Sequence, residues 1–231
     1  MFEKGLLAGK RVLVTGGGSG LGAAMGHRFV ELGAELIICG RRRDMLEATA
    51  ARLRDELGGK VGVMSCDIRD GAAVDAMMDE IWREAPLDVL VNNAAATFIA
   101  QTEHLSPRAA DAILAPTLHG TMYCTLAAGR RWIDGKHAGV VLSILSTSTI
   151  TGRAFTVPSA MAKSAVLAMT RSLAVEWGPG ACAWSRSHPA HFRRRAPRAS
   201  FVPKDAIKAG RIAIRSGVPA STTSLPIWQA S

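Results

Sequence analysis

The chain has 231 residues, 48% of them hydrophobic, and a formal net charge of +9. Its length and apolar content suffice for one large α/β domain with a substantial core. No apolar run approaches the roughly 20 residues needed to cross a bilayer, and no apolar run follows an N-terminal basic patch, so neither a membrane partner nor a signal peptide is expected. The four cysteines, Cys39, Cys66, Cys124 and Cys182, show no CxxC spacing. They are expected to be buried, reduced thiols in a cytoplasmic protein, with no metal site.

Apolar runs alternate with helical patterns along the chain. "KRVLVTGG" reads as a buried strand broken by glycines, and "AAMGHRFVELG" as a helix stopped at Gly33. "AELIICG" is a second strand and "RDMLEATAARLRDELGG" an amphipathic helix. "KVGVMSCDI" is a third strand, followed by the helix "GAAVDAMMDEIWREA", which ends near Pro86. "LDVLVNNAA" is a fourth strand, residues 106–133 one long helical stretch, "GVVLSILS" a fifth strand and 158–177 a last helix. This alternation predicts an α/β fold, a doubly wound, Rossmann-like parallel sheet covered on both faces. Right-handed crossovers then place ligands at the carboxyl ends of the strands. The boundaries expected are a dinucleotide-binding domain over 1–180 and an irregular basic tail over 181–231, with the C-terminal strands missing or disordered.

The charge is unevenly spread. Residues 181–231 carry nine Lys or Arg and one acid, Asp205, so that residues 1–180 are nearly neutral at +1. A basic excess confined to the tail argues against a specific nucleic-acid partner.

"TGGGSGLG", Thr15 to Gly22, lies between the first strand and the first helix. Glycines there permit tight turns and close approach of a pyrophosphate, and the helix N-terminus adds amide donors and partial positive charge. Thr15, Gly16, Gly18, Ser19, Gly20, Leu21 and Gly22 are therefore candidate cofactor residues. The second strand runs into Cys39-Gly40-Arg41-Arg42-Arg43 with no acid before Asp44. An acid at that place would bond a ribose 2′-hydroxyl, whereas Arg41 and Arg42 can fork onto a 2′-phosphate. The cofactor expected is NADP(H). The plainer reading, a solvated cluster at a helix start, runs against the macrodipole.

Taken with "CDI" at Cys66–Ile68, "NNAA" at Asn92–Ala95 and Lys163 in a SxxxK frame, this loop makes the chain resemble the short-chain dehydrogenase/reductase family over residues 10–178. The resemblance implies that Asp67 and Ile68 hold an adenine ring. It implies that Asn93, Ala94 and Ala95 line the cofactor cleft and that Lys163 bonds the nicotinamide ribose. It also implies assembly as a homo-oligomer, commonly a tetramer, through the helices at 106–133 and 158–177. "VPSAMAK", "LSP" and "LHGT" are similar to the 2,4-dienoyl-CoA reductase branch, which implies an acyl-thioester substrate; a carbonyl substrate of the wider family stays open.

The family's usual catalytic set is Ser–Tyr–Lys. Ser146 stands at the serine position, but Ser159 stands where most members carry tyrosine. The dienoyl branch has serine at that place and a tyrosine at the position of Ser148, so this chain has the tyrosine of neither layout. Its single tyrosine, Tyr123, falls in the long helix and reads as packing. Thr117 stands where the general family has an asparagine. The candidate catalytic residues are thus Lys163, Ser159, Ser146 and Ser148. Ser146 and Ser148 also read as plain loop serines, and Ser159 as an N-cap or first-turn serine beside Pro158. Losing one donor to a developing oxyanion costs about 2.7–4 kcal/mol, which weakens a catalyst without changing its reaction type. A silent nucleotide-binding remnant is the alternative from another class.

After "EWGP" the resemblance stops. Joining the third base of each permitted codon to the first two of the next lets the stretch from Ser185 to Ala196 encode A-I-A-P-G-P-F-P-T-E-G-A. In the same register, Ser216 to Trp228 permits G-R-P-G-E-H-D-E-L-A-D-L-A. Both strings are similar to the family's sixth strand, Pro-Gly turn, lid and following helix. A slip of the reading frame near Gly178–Ala181 is therefore expected.

Overall fold

The structure, a computed structural model, describes residues 2–177. The tail and its expected boundary at 180 lie outside them, as does Cys182. Five parallel strands form one sheet in the order β3-β2-β1-β4-β5: β1 (Arg11–Thr15), β2 (Glu35–Gly40), β3 (Val61–Ser65), β4 (Val89–Asn92) and β5 (Val140–Ser143). Pairing is in register from Arg11↔Glu35 to Thr15↔Cys39, from Val12↔Val89 to Val14↔Val91, and from Val89↔Val140 to Asn92↔Ser143. The order runs outward in both directions from β1, the doubly wound arrangement expected, and the crevice between the carboxyl ends of β1 and β4 is its switch point.

The helices lie on two faces. α1 (Gly20–Glu31) and α2 (Arg43–Leu57) cover a core of Val12, Val14, Leu36, Ile38, Leu46 and Leu53. α3 (Gly71–Glu84) and α5 (Gly120–Asp134) cover the other, built on Leu13, Ile37, Met78, Ile81, Leu90 and Trp132. Successive residues of β1 and β2 go to opposite cores, as the period of two requires. α2 ends at Gly58, whose φ of +65° is the left-handed C-cap that glycine adopts without a Cβ penalty. α3 starts at Asp70, whose carboxylate accepts from the amides of Ala72 and Ala73.

The amino ends of the strands are locked by charge. Buried Arg11 donates to Glu35 and to Glu84, both at 2.8 Å, and to the carbonyl oxygens of Ile81 and Ala85. Lys60 bridges the same two carboxylates at 3.0 and 2.8 Å. Each of the three guanidinium nitrogens has at least one partner, which offsets the cost of burying the charge.

The stretch expected as one helix over 106–133 is three pieces: α4 (Pro107–Leu114), a π-helical turn (Ala115–His119) and α5. Pro116 is the cause. It has no N–H to give, and in a regular helix its ring presses on the carbonyl four residues back. Widening that turn relieves the clash. A four-residue helix, α6 (Ser148–Thr151), follows β5, and α7 (Val157–Glu176) completes the described residues. Among those residues β5 pairs with β4 alone, and its Val140 and Leu142 are exposed. No helix of the described residues is long and apolar enough to cross a membrane.

Candidate functional site

A cleft of about 360 Å³ opens at the carboxyl ends of the strands. It is bounded by Gly16, Gly18 and Ser19 from the glycine loop, Arg41 and Arg42 from the end of β2, and Asp67 and Ile68 from the end of β3. Asn93, Ala94 and Ala95 close it from the end of β4. Ten of the residues singled out for cofactor binding thus share one cavity.

The glycines are required by close approach. Gly16 has φ +66°, and a Cβ on it would meet the Ala94 Cα at 3.1 Å. A Cβ on Gly22 would stand 2.4 Å from the Gly16 carbonyl oxygen and 2.6 Å from the Asn93 Nδ2. The loop therefore folds tightly against the end of β4 and leaves its outer face to a ligand. The outer face, lined by Gly16, Gly18 and Ser19 ahead of the α1 N-terminus, fits a dinucleotide pyrophosphate.

Five cofactor candidates stand behind the cleft or away from it: Thr15, Gly20, Leu21, Gly22 and Lys163. Thr15 is 1% exposed. Its hydroxyl accepts from the amides of Asn93 and Ala94, each at 3.0 Å, and donates to the Val91 carbonyl. Thr15 therefore ties β1 to β4 from beneath the floor. Gly20 and Gly22 belong to the first turn of α1, outside the cavity lining, and the Leu21 side chain is 57% exposed. The Asn93 side chain is likewise spent on the loop, donating to the carbonyls of Thr15 and Gly16.

Arg41 and Arg42 lie exposed at the mouth, with Arg42 as N-cap of α2. Asp67 is engaged by Arg69, whose Nε donates to both carboxylate oxygens, at 2.9 and 3.0 Å. That guanidinium holds the Asp67 carboxyl below its ordinary range. Arg69, Met45, Leu46, Ala96 and Pro116 also face the cleft and were not singled out from the sequence. Arg69 directly follows the "CDI" motif, and Pro116 inside a helical pattern was the signal for the break.

The candidate catalytic residues gather after β5. Buried Lys163, on α7, donates to the Ile144 carbonyl at 2.6 Å, and burial pulls its ammonium below the ordinary lysine range. Ser148 donates from Oγ to the Ser146 Oγ at 2.8 Å. Ser146 is exposed and Ser148 buried, so the pair presents one hydroxyl outward. Ser159 is half-buried in the first turn of α7, while Thr156 holds the N-cap position. These four do not line the cleft of the glycine loop. Tyr123 packs against the core and stacks on His119, as its place in the helix implied.

Cys39, Cys66 and Cys124 are free, buried thiols. Burial pushes all three up, Cys124 to about 12. They stay protonated at neutral pH and act as small apolar groups. Among the described residues no group of His, Cys, Asp or Glu is arranged to hold a metal ion.

The family model described as short chain dehydrogenase matches residues 10–190. The chain is 44% identical over 175 residues to an uncharacterized oxidoreductase of Caenorhabditis elegans, covering 75% of this chain and 56% of that protein. It is 41% identical over 170 residues to a probable 2,4-dienoyl-CoA reductase of Bacillus subtilis, covering 73% of this chain and 66% of that protein. It thus spans less than two thirds of the length of either. Among solved structures, the citronellol catabolism dehydrogenase of Pseudomonas aeruginosa superposes with a TM-score of 0.73 at 30% identity, covering 79% of this chain and 74% of that one. A protein of Beutenbergia cavernae described as a putative NAD(P)-dependent gluconate 5-dehydrogenase, solved with NADP bound at low occupancy, gives 0.71 at 30% identity, covering 76% and 69%.

Proposed function

From membership of the short-chain dehydrogenase family, to which this chain belongs, we propose that it is an NADPH-dependent oxidoreductase that reduces a conjugated enoyl or dienoyl thioester. The observation that carries the cofactor choice is the mouth of the cleft, where Arg41 and Arg42 stand at the end of β2. No carboxylate precedes them on that strand end to receive a ribose 2′-hydroxyl. Two forked guanidinium groups suit a 2′-phosphate. The thioester is favoured by similarity to the dienoyl-CoA reductase relatives. It is also favoured by the exposed apolar side chains of Phe98, Ile99 and Phe155, whose segments are joined by a hydrogen bond from the Ala100 amide to the Phe155 carbonyl.

In this reading the backbone of Gly16, Gly18 and Ser19 holds the pyrophosphate, while Asp67 and Ile68 hold the adenine end. Asn93, Ala94 and Ala95 form the floor. When bound, NADPH supplies the hydride. Lys163 orients the nicotinamide ribose and raises the local positive potential. Ser146, whose oxygen accepts from the Ser148 hydroxyl, and Ser159 donate hydrogen bonds to the thioester oxygen, so that charge gathering there is stabilised. Serine hydroxyls do not ionise as a phenol beside a lysine does, so the set is a weaker donor than one with tyrosine.

That missing phenol favours a second reading, a silent dinucleotide binder. Titration calorimetry with NADPH and NADH tests the cofactor, and NADPH oxidation with a dienoyl-CoA and with a simple ketone tests the reaction. Uptake of NADPH over NADH, with turnover of the thioester alone, is the expected result. Uptake without turnover on either substrate supports the silent binder. The remaining proposals are a cytoplasmic location, assembly as a homo-oligomer, and a domain boundary near residue 180.

A further inference from the structure

We propose that Arg69 is the residue that receives the adenine: its guanidinium, held in one plane by Asp67, stacks on the base, and Asp67 serves the adenine end through Arg69 rather than by accepting from the base amino group. The role deepens the cofactor reading above and rests on it.

The Asp67 carboxylate is fully engaged. Its Oδ1 accepts from the Arg69 backbone amide at 3.1 Å and from the Arg69 Nε at 2.9 Å. Its Oδ2 accepts from the same Nε at 3.0 Å and from Nη2. A carboxylate offers about four lone-pair sites, so one residue takes them all and none is left for an adenine amino group. The pairing holds the carboxyl below and the guanidinium above their ordinary ranges. Both groups therefore stay charged at neutral pH.

Ile68 has little surface to offer the base. It is 6% exposed and belongs to the core beneath the cleft, where a Cβ on Gly120 would meet its Cγ1 at 2.6 Å. Arg69 is different. Its side chain is 45% exposed and borders the cleft.

The backbone sets where that side chain starts. The Asp70 amide bonds the Asp67 carbonyl at 3.0 Å and closes a turn, and Asp70 in its turn caps α3. Arg69 is the third residue of this turn. The turn leaves the end of β3 beside the end of β2, where Gly40 pairs with Ser65 and the Cys66 amide bonds the Gly40 carbonyl at 2.9 Å. Arg41 is close enough to help lower the Asp67 carboxyl. Arg69 thus borders the same end of the cleft as Arg41 and Arg42, the end assigned to the adenosine. A guanidinium already fixed by a carboxylate loses little freedom on stacking, and stacking tolerates a change of base substituent.

Calorimetry with NADPH and with its hypoxanthine analogue, in which a carbonyl replaces the 6-amino group, tests the role. The parent is expected to bind the two within about twofold of each other. Arg69→Ala, and Arg69→Lys, which keeps the charge and loses the plane, are each expected to weaken both ligands about fivefold. Asp67→Asn, which releases the fork, is expected to weaken both by a similar factor. A larger preference of the parent for NADPH marks recognition of the amino group and overturns the proposal. Any of the three variants binding as tightly as the parent overturns it as well. If the parent binds neither NADPH nor NADH, the cofactor reading falls and this role falls with it.

Discussion

Asn93 donates to Thr15 twice, from its side chain and from its backbone. The Asn93 side-chain amide donates to the Thr15 carbonyl at 3.0 Å, and the Thr15 hydroxyl accepts from the Asn93 backbone amide at 3.0 Å. The pair joins the glycine loop to the end of β4, so the two walls of the cleft move as one. Asn93→Ala strands the Thr15 and Gly16 carbonyls behind the cavity and is expected to cost about 1–3 kcal/mol, read from the urea midpoint. Gly22→Ala drives a methyl into the same junction and is expected to cost a similar 1–3 kcal/mol together with NADPH affinity.

Arg41 and Arg42 are exposed, so removing them leaves the fold alone, within about 0.5 kcal/mol. Arg41→Ala with Arg42→Ala is expected to raise the NADPH Kd about 10–100-fold and to leave NADH binding unchanged. Parallel calorimetric titrations with the two dinucleotides give the comparison.

Lys163 is held below its ordinary value of 10.5 by burial. The folded protein therefore sheds this proton at a lower pH than the unfolded chain does. Between the folded value and 10.5 the unfolded chain binds more protons, so stability rises with pH across that window. Urea midpoints taken at stepped pH should show the rise in the parent and not in Lys163→Met. In its proposed role the lysine works charged, so turnover should fall as stability rises.

Ser148 stands where the resemblance to the dienoyl branch implies a tyrosine, and its hydroxyl is spent on Ser146. Ser148→Tyr is expected to raise turnover of a dienoyl-CoA by about 10²–10³, followed by NADPH oxidation. Ser148→Phe, with the ring and no hydroxyl, is expected to give no gain, and circular dichroism of both variants confirms that they fold.

The reading-frame slip is checked at its source. The coding DNA across residues 170–231 is expected to yield the two family-like strings when read one base out of register after Gly178–Ala181. Bases that encode the printed residues without yielding those strings remove the idea.

Much of this was legible because it rests on local demands. Gly16 and Gly22 answer a steric requirement that no other residue meets, and the apolar runs of β1, β2 and β4 follow from burial on both faces. The break at Pro116 was hidden because apolar residues keep a helical spacing on both sides of it, and the proline alone marks it. Thr15 reads as part of a ligand loop, yet it sits inward, because the alternation of β1 carries through to its last residue. Arg69 reaches the cleft only because the turn after β3 folds it back onto Asp67. That is a contact of tertiary geometry, not of pattern.

Arg11 and its carboxylates sit at the amino ends of the strands, and the cleft sits at the carboxyl ends. Anchorage and recognition are thereby kept a full strand length apart. The arginines after β2 can be rewritten without loosening the clamp beneath the sheet, which makes this scaffold a practical one for rebuilding coenzyme preference.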